Sequence, residues 1–96
     1  MTYRLRFHEL ALLEWKKLDG SLRSQFKRKL EERLGNPRVP SAALAGMADC
    51  FKIKLRSAGY RLVYRVDDDV IFVTVIAVGR RDRNQVYRQA QGRLDE

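Results

Sequence analysis

The 96 residues of this chain carry 20 lysines and arginines against 12 acidic residues, which gives a formal net charge of +8, and 45% of them are hydrophobic. This balance predicts one globular domain spanning residues 1–96 and excludes a disordered tail or a two-domain protein. The longest apolar run, residues 70–78, is too short to cross a bilayer. One cysteine, Cys50, and one histidine, His8, exclude an internal disulfide, a cysteine-rich zinc module and a two-histidine metal site. We therefore expect a cytoplasmic protein that has a reduced cysteine and no metal or other cofactor.

The excess of positive charge favours a polyanionic partner. A small domain with an isoelectric point near 10.2 gains free energy when it releases counterions condensed on a phosphate backbone. The alternative is a basic surface that meets an acidic protein partner. The two interpretations are compatible.

The N-terminal residues predict a strand followed by a short helix. Tyr3, Leu5 and Phe7 alternate with polar residues, which is typical of a half-buried strand. From Glu9 to about residue 18 the spacing becomes helical, and the apolar positions of this helix are Leu10, Leu13, Trp15 and Leu18. His8 stands at the junction, where we expect it to cap the helix or lie at the surface rather than to catalyse.

A second helix is predicted over residues 21–34, with Asp19 or Ser21 as its N-terminal cap. Its apolar positions recur every four residues: Leu22, Phe26, Leu30 and Leu34. Gly35 is expected to end it in a left-handed conformation, because Pro37 cannot continue a helix. The two helices predict a helical hairpin, followed by a surface loop over residues 37–49.

Three strands and a last helix complete the predicted fold. The strands cover residues 51–56, 60–66 and 70–78, and the turns between them, at residues 57–59 and 67–69, are short enough to require antiparallel pairing. Asn84 is expected to cap the helix, whose apolar side comprises Val86, Ala90 and Leu94. The fold class is therefore α+β, with the order β-α-α-β-β-β-α and a small, mostly antiparallel sheet. The N-terminal helical hairpin covers one face of the sheet.

Basic residues concentrate in the C-terminal half of the chain. Lys52, Lys54 and Arg56 alternate along one predicted strand and so share one face of the sheet, and Arg61 on the next strand lies beside them. The exit from the third strand adds Arg80, Arg81 and Arg83. Such a face is costly through self-repulsion unless a polyanion neutralises it. The alternative is a solvated sheet face, on which lysines protect an edge against aggregation.

Tyr87 lies one position from the apolar side of the last helix, so it is placed to face the basic residues. Cations close to a phenol favour its ionised form, which would make Tyr87 a general base in a chain without a suitable histidine. A tyrosine that packs in the core or stacks on a base is the competing interpretation, and the residues by themselves favour it. Cys50 is expected to be a buried small side chain.

Three segments in order resemble the RelE toxins. They are Leu-Leu-Glu-Trp-Lys-Lys-Leu at residues 12–18, the block at residues 46–64 that contains Lys-Ile-Lys-Leu-Arg, and Val-Gly-Arg-Arg-Asp-Arg at residues 78–83, which is followed by Val86 and Tyr87. The resemblance covers nearly the whole chain. It implies a RelE-like fold and a toxin of a type II toxin–antitoxin system that inhibits translation as a ribosome-dependent, metal-independent endoribonuclease.

The resemblance implies a reaction and a role for each site residue. The ribose 2′-hydroxyl of a codon in the ribosomal A site would attack the adjacent phosphate. By position, Tyr87 would be the general base and Arg81 the proton donor, while Lys52 and Lys54 would stabilise the developing charge and Arg61 would hold the phosphate. Four further arginines are candidates for RNA binding: Arg56, Arg65, Arg80 and Arg83.

The resemblance also implies partners. They are an acidic, RelB-like antitoxin and the ribosome with its ribosomal and messenger RNA; DNA is contacted only indirectly, through an autoregulatory complex with the antitoxin, and a membrane is not involved. Ala45 departs from the pattern, since better-known members carry an arginine there that is thought to contact RNA; we expect this difference to affect substrate affinity or codon preference. A ParE-like toxin that inhibits DNA gyrase and a non-catalytic basic RNA-binding module are the alternatives.

Overall fold

The computed structural model of the protein describes residues 2–95, except the side chain of Arg83. The elements follow the predicted order. They are β1 (Arg4–Phe7), α1 (Glu9–Lys16), α2 (Gly20–Gly35), β2 (Cys50–Leu55), β3 (Tyr60–Asp67), β4 (Phe72–Arg80) and α3 (Gln85–Leu94). Single turns of 3₁₀ helix lie at Pro40–Ala42 and at Asp82–Asn84. The α+β class and the β-α-α-β-β-β-α order are thus confirmed.

Four strands form one mixed sheet in the order β1-β4-β3-β2. The strands β2, β3 and β4 are antiparallel neighbours, joined by short turns as the sequence predicts. In contrast, β1 pairs with β4 in parallel, with Arg4 opposite Phe72. This pairing is possible because the two helices and two strands between them allow the chain to return to the same direction. The strand β2 consequently lies at an edge of the sheet.

Each face of the sheet is covered by a different part of the chain. Helices α1 and α2 contribute Ala11, Phe26 and Leu30 to a cluster that includes alternate residues of the central strands, such as Leu62 and Tyr64. Helix α3 covers part of the opposite face with two buried residues, Val86 and Ala90, which pack with Cys50, Val63, Ile76 and Ala77. The period-2 alternation of the strands decides which residues meet which helices.

The ends of the first two helices agree only in part with the sequence-based predictions. The Nδ1 of His8 accepts a hydrogen bond from the backbone N–H of Leu10 at 3.1 Å, and an Asp19 carboxylate oxygen accepts one from Ser21 at 3.5 Å. Both caps are confirmed. The left-handed ending predicted for Gly35 is wrong, because Gly35 is still helical and the chain leaves the helix through an extended Asn36 with a φ of −155°.

The predicted apolar positions of the first helix are confirmed at Trp15 and Leu18 and wrong at Leu10 and Leu13. Ala11 is the residue of this helix that is fully buried, whereas Leu10 and Leu13 are 43% and 53% exposed. The small alanine side chain lets the helix approach the sheet closely, and the leucines lie on its outer side. Trp15 closes the end of the layer, with its ring 5.3 Å from that of Phe7 and 6.4 Å from that of Phe26.

The boundaries of β4 and the start of α3 differ from prediction. Val70 and Ile71 belong to the preceding turn, where Ile71 has a left-handed φ of 59° and Val70 is 50% exposed. The strand instead extends through Gly79 and Arg80, because Arg80 is still paired with Tyr60. Asn84 also has a left-handed φ, of 58°, and its side chain makes no capping hydrogen bond, so the predicted cap is wrong. Within residues 2–95, no helix has the length and apolarity needed to cross a membrane.

Candidate active site

The antiparallel pairing of β2 and β3 brings three predicted site residues together. Lys54 lies directly opposite Arg61, and Lys52 lies opposite Val63, one alternation further along the same strand. Because Cys50 and Val63 belong to the cluster under α3, the alternation places these cations on the α3 side of the sheet. Lys52, Lys54 and Arg61 therefore form one basic cluster on that side.

Arg61 is held firmly although it is charged. Arg61 is only 7% exposed, and its Nη1 donates a hydrogen bond to the Tyr60 carbonyl oxygen at 3.0 Å. On its other side Arg61 lies opposite Gly79 of β4. A side chain at Gly79 would point toward α3, since a Cβ there would lie 3.9 Å from Val86. The first turn of α3 therefore packs over this position of the sheet, beside Arg61.

The cluster is electrostatically unfavourable without an anion. The positive charge of Lys52 lowers the pKa of Lys54 below its ordinary value, with smaller contributions from burial, Arg61 and Arg56. No carboxylate among the described residues forms an ion pair with Lys52, Lys54 or Arg61. Such a set of cations is suited to bind a phosphate and to stabilise extra negative charge on it.

Arg81 and Tyr87 belong to the segment that follows β4. The backbone N–H of Arg81 donates to the Gly59 carbonyl oxygen at 3.0 Å, which fixes the start of this segment beside the β2–β3 turn. The Arg81 side chain is exposed. Tyr87, in the first turn of α3, is half-buried and packs against the hydrophobic cluster that contains Val86 and Ala77. Tyr87 thus lies on the same side of the sheet as Lys52, Lys54 and Arg61, and the backbone of Arg81 adjoins the turn that joins β2 and β3.

Of the predicted RNA-binding arginines, Arg56 lies near this cluster and Arg65 lies away from it. Arg56 lies beyond the end of β2 and is close enough to affect Lys54. Arg65 is on the same face but four residues along β3 from Arg61, roughly 13 Å away, where it lines a cleft with Asp49 and the acidic turn at residues 67–69. It is separated from the cluster by the length of the strand.

The predicted placement of Arg80 with the basic face is wrong, and that of Arg83 concerns a side chain outside the described residues. Arg80 remains within β4, so the alternation turns it toward the α1 side, where its guanidinium carbon lies 5.7 Å from the centre of the Tyr60 ring. The extra residues of β4 thus decide which face of the sheet Arg80 occupies.

Two cations of α2 reach the edge of the sheet near this cluster. Sequence reasoning missed them because they resemble ordinary residues of the polar face of a helix. The Nη1 of Arg33 donates hydrogen bonds to the Lys52 carbonyl oxygen at 3.1 Å and to the Tyr64 hydroxyl at 2.9 Å. Lys29 lines the same groove as Lys52 and Lys54. The fold therefore extends the positive surface beyond the predicted residues.

The geometry offers no obvious metal site or nucleophilic thiol. Among the described residues, no group of three histidine, cysteine, aspartate or glutamate side chains is close enough to hold a metal ion. Cys50 is buried, as expected, and burial raises the pKa of its thiol, which makes it a poor nucleophile. The lysines, arginines and tyrosine are the groups that remain for chemistry on this face.

Comparison with known proteins agrees with this fold. Residues 5–85 match the model of a family described as the ParE toxin of the type II toxin–antitoxin system parDE. The chain is 53% identical to the mRNA interferase toxin RelE of Escherichia coli K12 over 94 residues, which cover 98% of this chain and 99% of that protein.

Solved structures are equally similar. A double arginine-to-alanine variant of the E. coli toxin RelE in the free state superimposes with a TM-score of 0.91 at 51% identity, covering 98% of this chain and 99% of that one. The toxin in the intact E. coli RelBE toxin–antitoxin complex has a TM-score of 0.82 at 54% identity, covering 84% and 99% of the two chains. The chain belongs to the RelE/ParE family of toxins of type II toxin–antitoxin systems, and within it resembles RelE.

Proposed function

We propose that this toxin is an endoribonuclease that cleaves messenger RNA, like the mRNA interferases it resembles. The observation that carries the proposal is the cross-strand pair of Lys54 and Arg61, with Lys52 beside it, on the face that α3 also covers. Phosphoryl transfer depends mainly on positioning and on charge stabilisation, and this cluster supplies positive charge that is fixed before the substrate arrives.

The reaction follows from the groups available. The 2′-oxygen attacks the adjacent phosphorus and the bond from phosphorus to the 5′-oxygen breaks, which leaves a 2′,3′-cyclic phosphate and a 5′-hydroxyl. The ionised phenol of Tyr87 accepts the 2′-hydroxyl proton, and Arg81 donates a proton to the departing 5′-oxygen. Solvent water then restores both groups. Lys52 and Lys54 stabilise the negative charge of the transition state, and Arg61 holds the phosphate.

We propose that the reaction requires no metal ion, since lysine and arginine side chains supply the positive charge on the phosphate. It does require the ribosome. Arginine gives up a proton reluctantly, and tyrosine is a weak base at neutral pH. Holding the codon in an in-line geometry within the A site would offset this weakness, because positioning can supply roughly 7–11 kcal/mol of the barrier.

An acidic, RelB-like antitoxin is the proposed protein partner. The intact E. coli RelBE complex contains a toxin that is 54% identical to this chain. The net charge of +8 and the unneutralised cluster favour an acidic partner, and opposite charges accelerate capture. Contact with DNA would then occur through the antitoxin.

The test compares one end-labelled message, free and held in a ribosome with an empty A site. We expect cleavage only in the ribosome, at the A-site codon, with a cyclic phosphate end. Tyr87→Phe is expected to bind the ribosome and to cleave far more slowly. Equal cleavage of the free message would contradict ribosome dependence. Binding without cleavage would indicate a binding module, and gyrase inhibition without cleavage would indicate a ParE-like toxin.

A further inference from the structure

A groove runs along the outer edge of β2, between this strand and α2. One part of it, of about 270 Å³, is lined by Lys29, Arg33, Ser41, Lys52, Lys54 and Arg56 together with buried apolar residues. The next part, of about 440 Å³, shares Lys29, Lys54 and Arg56 and continues toward the β2–β3 turn. We call the two parts the β2-edge groove.

Five cations line the groove, and no carboxylate among the described residues does. Arg33 is fixed in place by its hydrogen bonds to the Tyr64 hydroxyl and the Lys52 carbonyl oxygen, so part of this charge is held rigidly. Lys29 is exposed. Repulsion from Lys52 and Arg56 already lowers the pKa of Lys54. The groove is therefore a preformed surface of concentrated positive charge.

We propose that the β2-edge groove binds backbone phosphates of the substrate RNA that flank the cleaved bond, with Lys29 and Arg33 as binding residues. The inference rests on the proposed function, because Lys52 and Lys54 belong both to the groove and to the reaction centre. RNA that leaves the reaction centre along the edge strand enters the groove directly. A protein partner would instead require pockets for apolar anchor residues, whereas five of the residues that line the groove are cations, of which Lys29 and Arg56 are exposed.

The test uses a single-stranded RNA whose riboses carry 2′-O-methyl groups, so that no attacking hydroxyl is present and only binding is measured. Lys29→Glu is expected to weaken binding severalfold for all sequences. It should also lower the slope of log affinity against log salt by about 0.7 for each lost phosphate contact. Lys27→Glu is the matched control, because Lys27 is also an exposed lysine of α2 but lines a cleft with Trp15 and Gly20 on another side.

Lys29→Gln separates loss of the contact from charge reversal, and native circular dichroism shows that both variants fold. Unchanged RNA affinity in the two Lys29 variants, or an equal loss in Lys27→Glu, would overturn the proposal. If RNA affinity is unchanged but less of the variant toxin cosediments with ribosomes, the groove binds ribosomal RNA instead. If only the capture of the antitoxin is weaker, the groove binds that protein instead. Either result would also overturn the proposal. The proposed nuclease activity fails separately, if wild type does not cleave ribosome-bound message.

Discussion

Arg93 near the end of α3 forms two parallel hydrogen bonds with Glu14 of α1, each 2.8 Å long and each to a different carboxylate oxygen. The Nη1 of Arg93 also donates to the Ile76 carbonyl oxygen, while Glu14 accepts from the backbone N–H of Val78 at 3.1 Å. Glu14 therefore connects the helices on the two sides of the sheet through the end of β4.

We expect Arg93→Ala to lower the free energy of unfolding by about 2–3 kcal/mol, because Glu14 keeps its charge in a largely buried position without its partner. Arg93 and Glu14 side chains are only 10% and 24% exposed. Urea denaturation measures the change. Arg88→Ala is the control, since Arg88 is an exposed residue of the same helix; equal effects of the two substitutions would contradict a specific role of the pair.

Removing Lys54 should affect activity far more than stability. Lys54→Met is expected to reduce cleavage of ribosome-bound message by a factor of about 10² or more, because it removes a contact to the transition state. The circular dichroism of Lys54→Met should remain native, because removing one charge from a cluster of like charges relieves repulsion. Lys17→Met, at an exposed lysine next to α1, is the matched control, and wild-type cleavage by Lys54→Met would exclude this residue from the site.

The same variant gives a pH-dependent difference in stability. The pKa of Lys54 is lower in the folded state than in the unfolded chain. The charged lysine therefore destabilises the folded state at neutral pH. As pH rises through the lowered pKa of the folded state, Lys54 loses its proton and the repulsion disappears. Wild type should therefore gain stability relative to Lys54→Met. Urea midpoints of both proteins from neutral to alkaline pH measure this, and a difference independent of pH would contradict the repulsion.

Tyr64 should be important for stability through its hydroxyl group. This hydroxyl donates to the Pro37 carbonyl oxygen at 2.6 Å and accepts from Arg33 at 2.9 Å. Tyr64→Phe leaves the Pro37 carbonyl oxygen and the Arg33 guanidinium without the hydroxyl as hydrogen-bond partner. It should lower the free energy of unfolding by about 1–3 kcal/mol. Tyr60→Phe is the control at a less buried tyrosine, and an equal or smaller effect at Tyr64 would contradict the expectation.

Tyr64 also predicts a loss of stability at high pH. Burial raises its pKa above the ordinary value, so the fold favours the neutral phenol. This contribution is fully present below the unfolded pKa and disappears as pH rises through the folded one. Phenolate absorbance should show a late ionisation, to which Tyr3 also contributes because its hydrogen bond to Asp68 raises its pKa. A smaller late transition in Tyr64→Phe than in wild type would assign the remaining part to Tyr64. Loss of the same late transition in Tyr60→Phe would contradict the assignment.

An acidic antitoxin should suppress toxicity. We expect co-expression of the reading frame next to this gene to restore growth and its product to copurify with the toxin, because the net charge of +8 favours an acidic partner. Affinity purification from the co-expressing strain measures the association, and high salt should slow its formation. If co-expression does not restore growth and the product does not copurify, the proposed partner is wrong.

The sequence by itself determined the order of elements and the members of the basic cluster. Alternation places Lys52 and Lys54 on one face whatever the rest of the chain does, and the short turn at residues 57–59 requires Arg61 to return beside them. The cap at Asp19 is equally local, since a side chain two residues from its donor needs no tertiary contact. These features depend on neighbouring residues only.

The tertiary structure decided the features that depend on distant contacts. Arg80 lies on the opposite face because β4 continues two residues beyond its apolar run, which pairing with Tyr60 determines. Ala11 rather than Leu10 faces the sheet because close approach of α1 to β4 favours a small side chain. Arg33 reaches Lys52, and Arg93 reaches Glu14, across 19 and 79 residues. Periodicity reports only which side of an element is apolar; which partner covers that side is settled by packing of the whole chain.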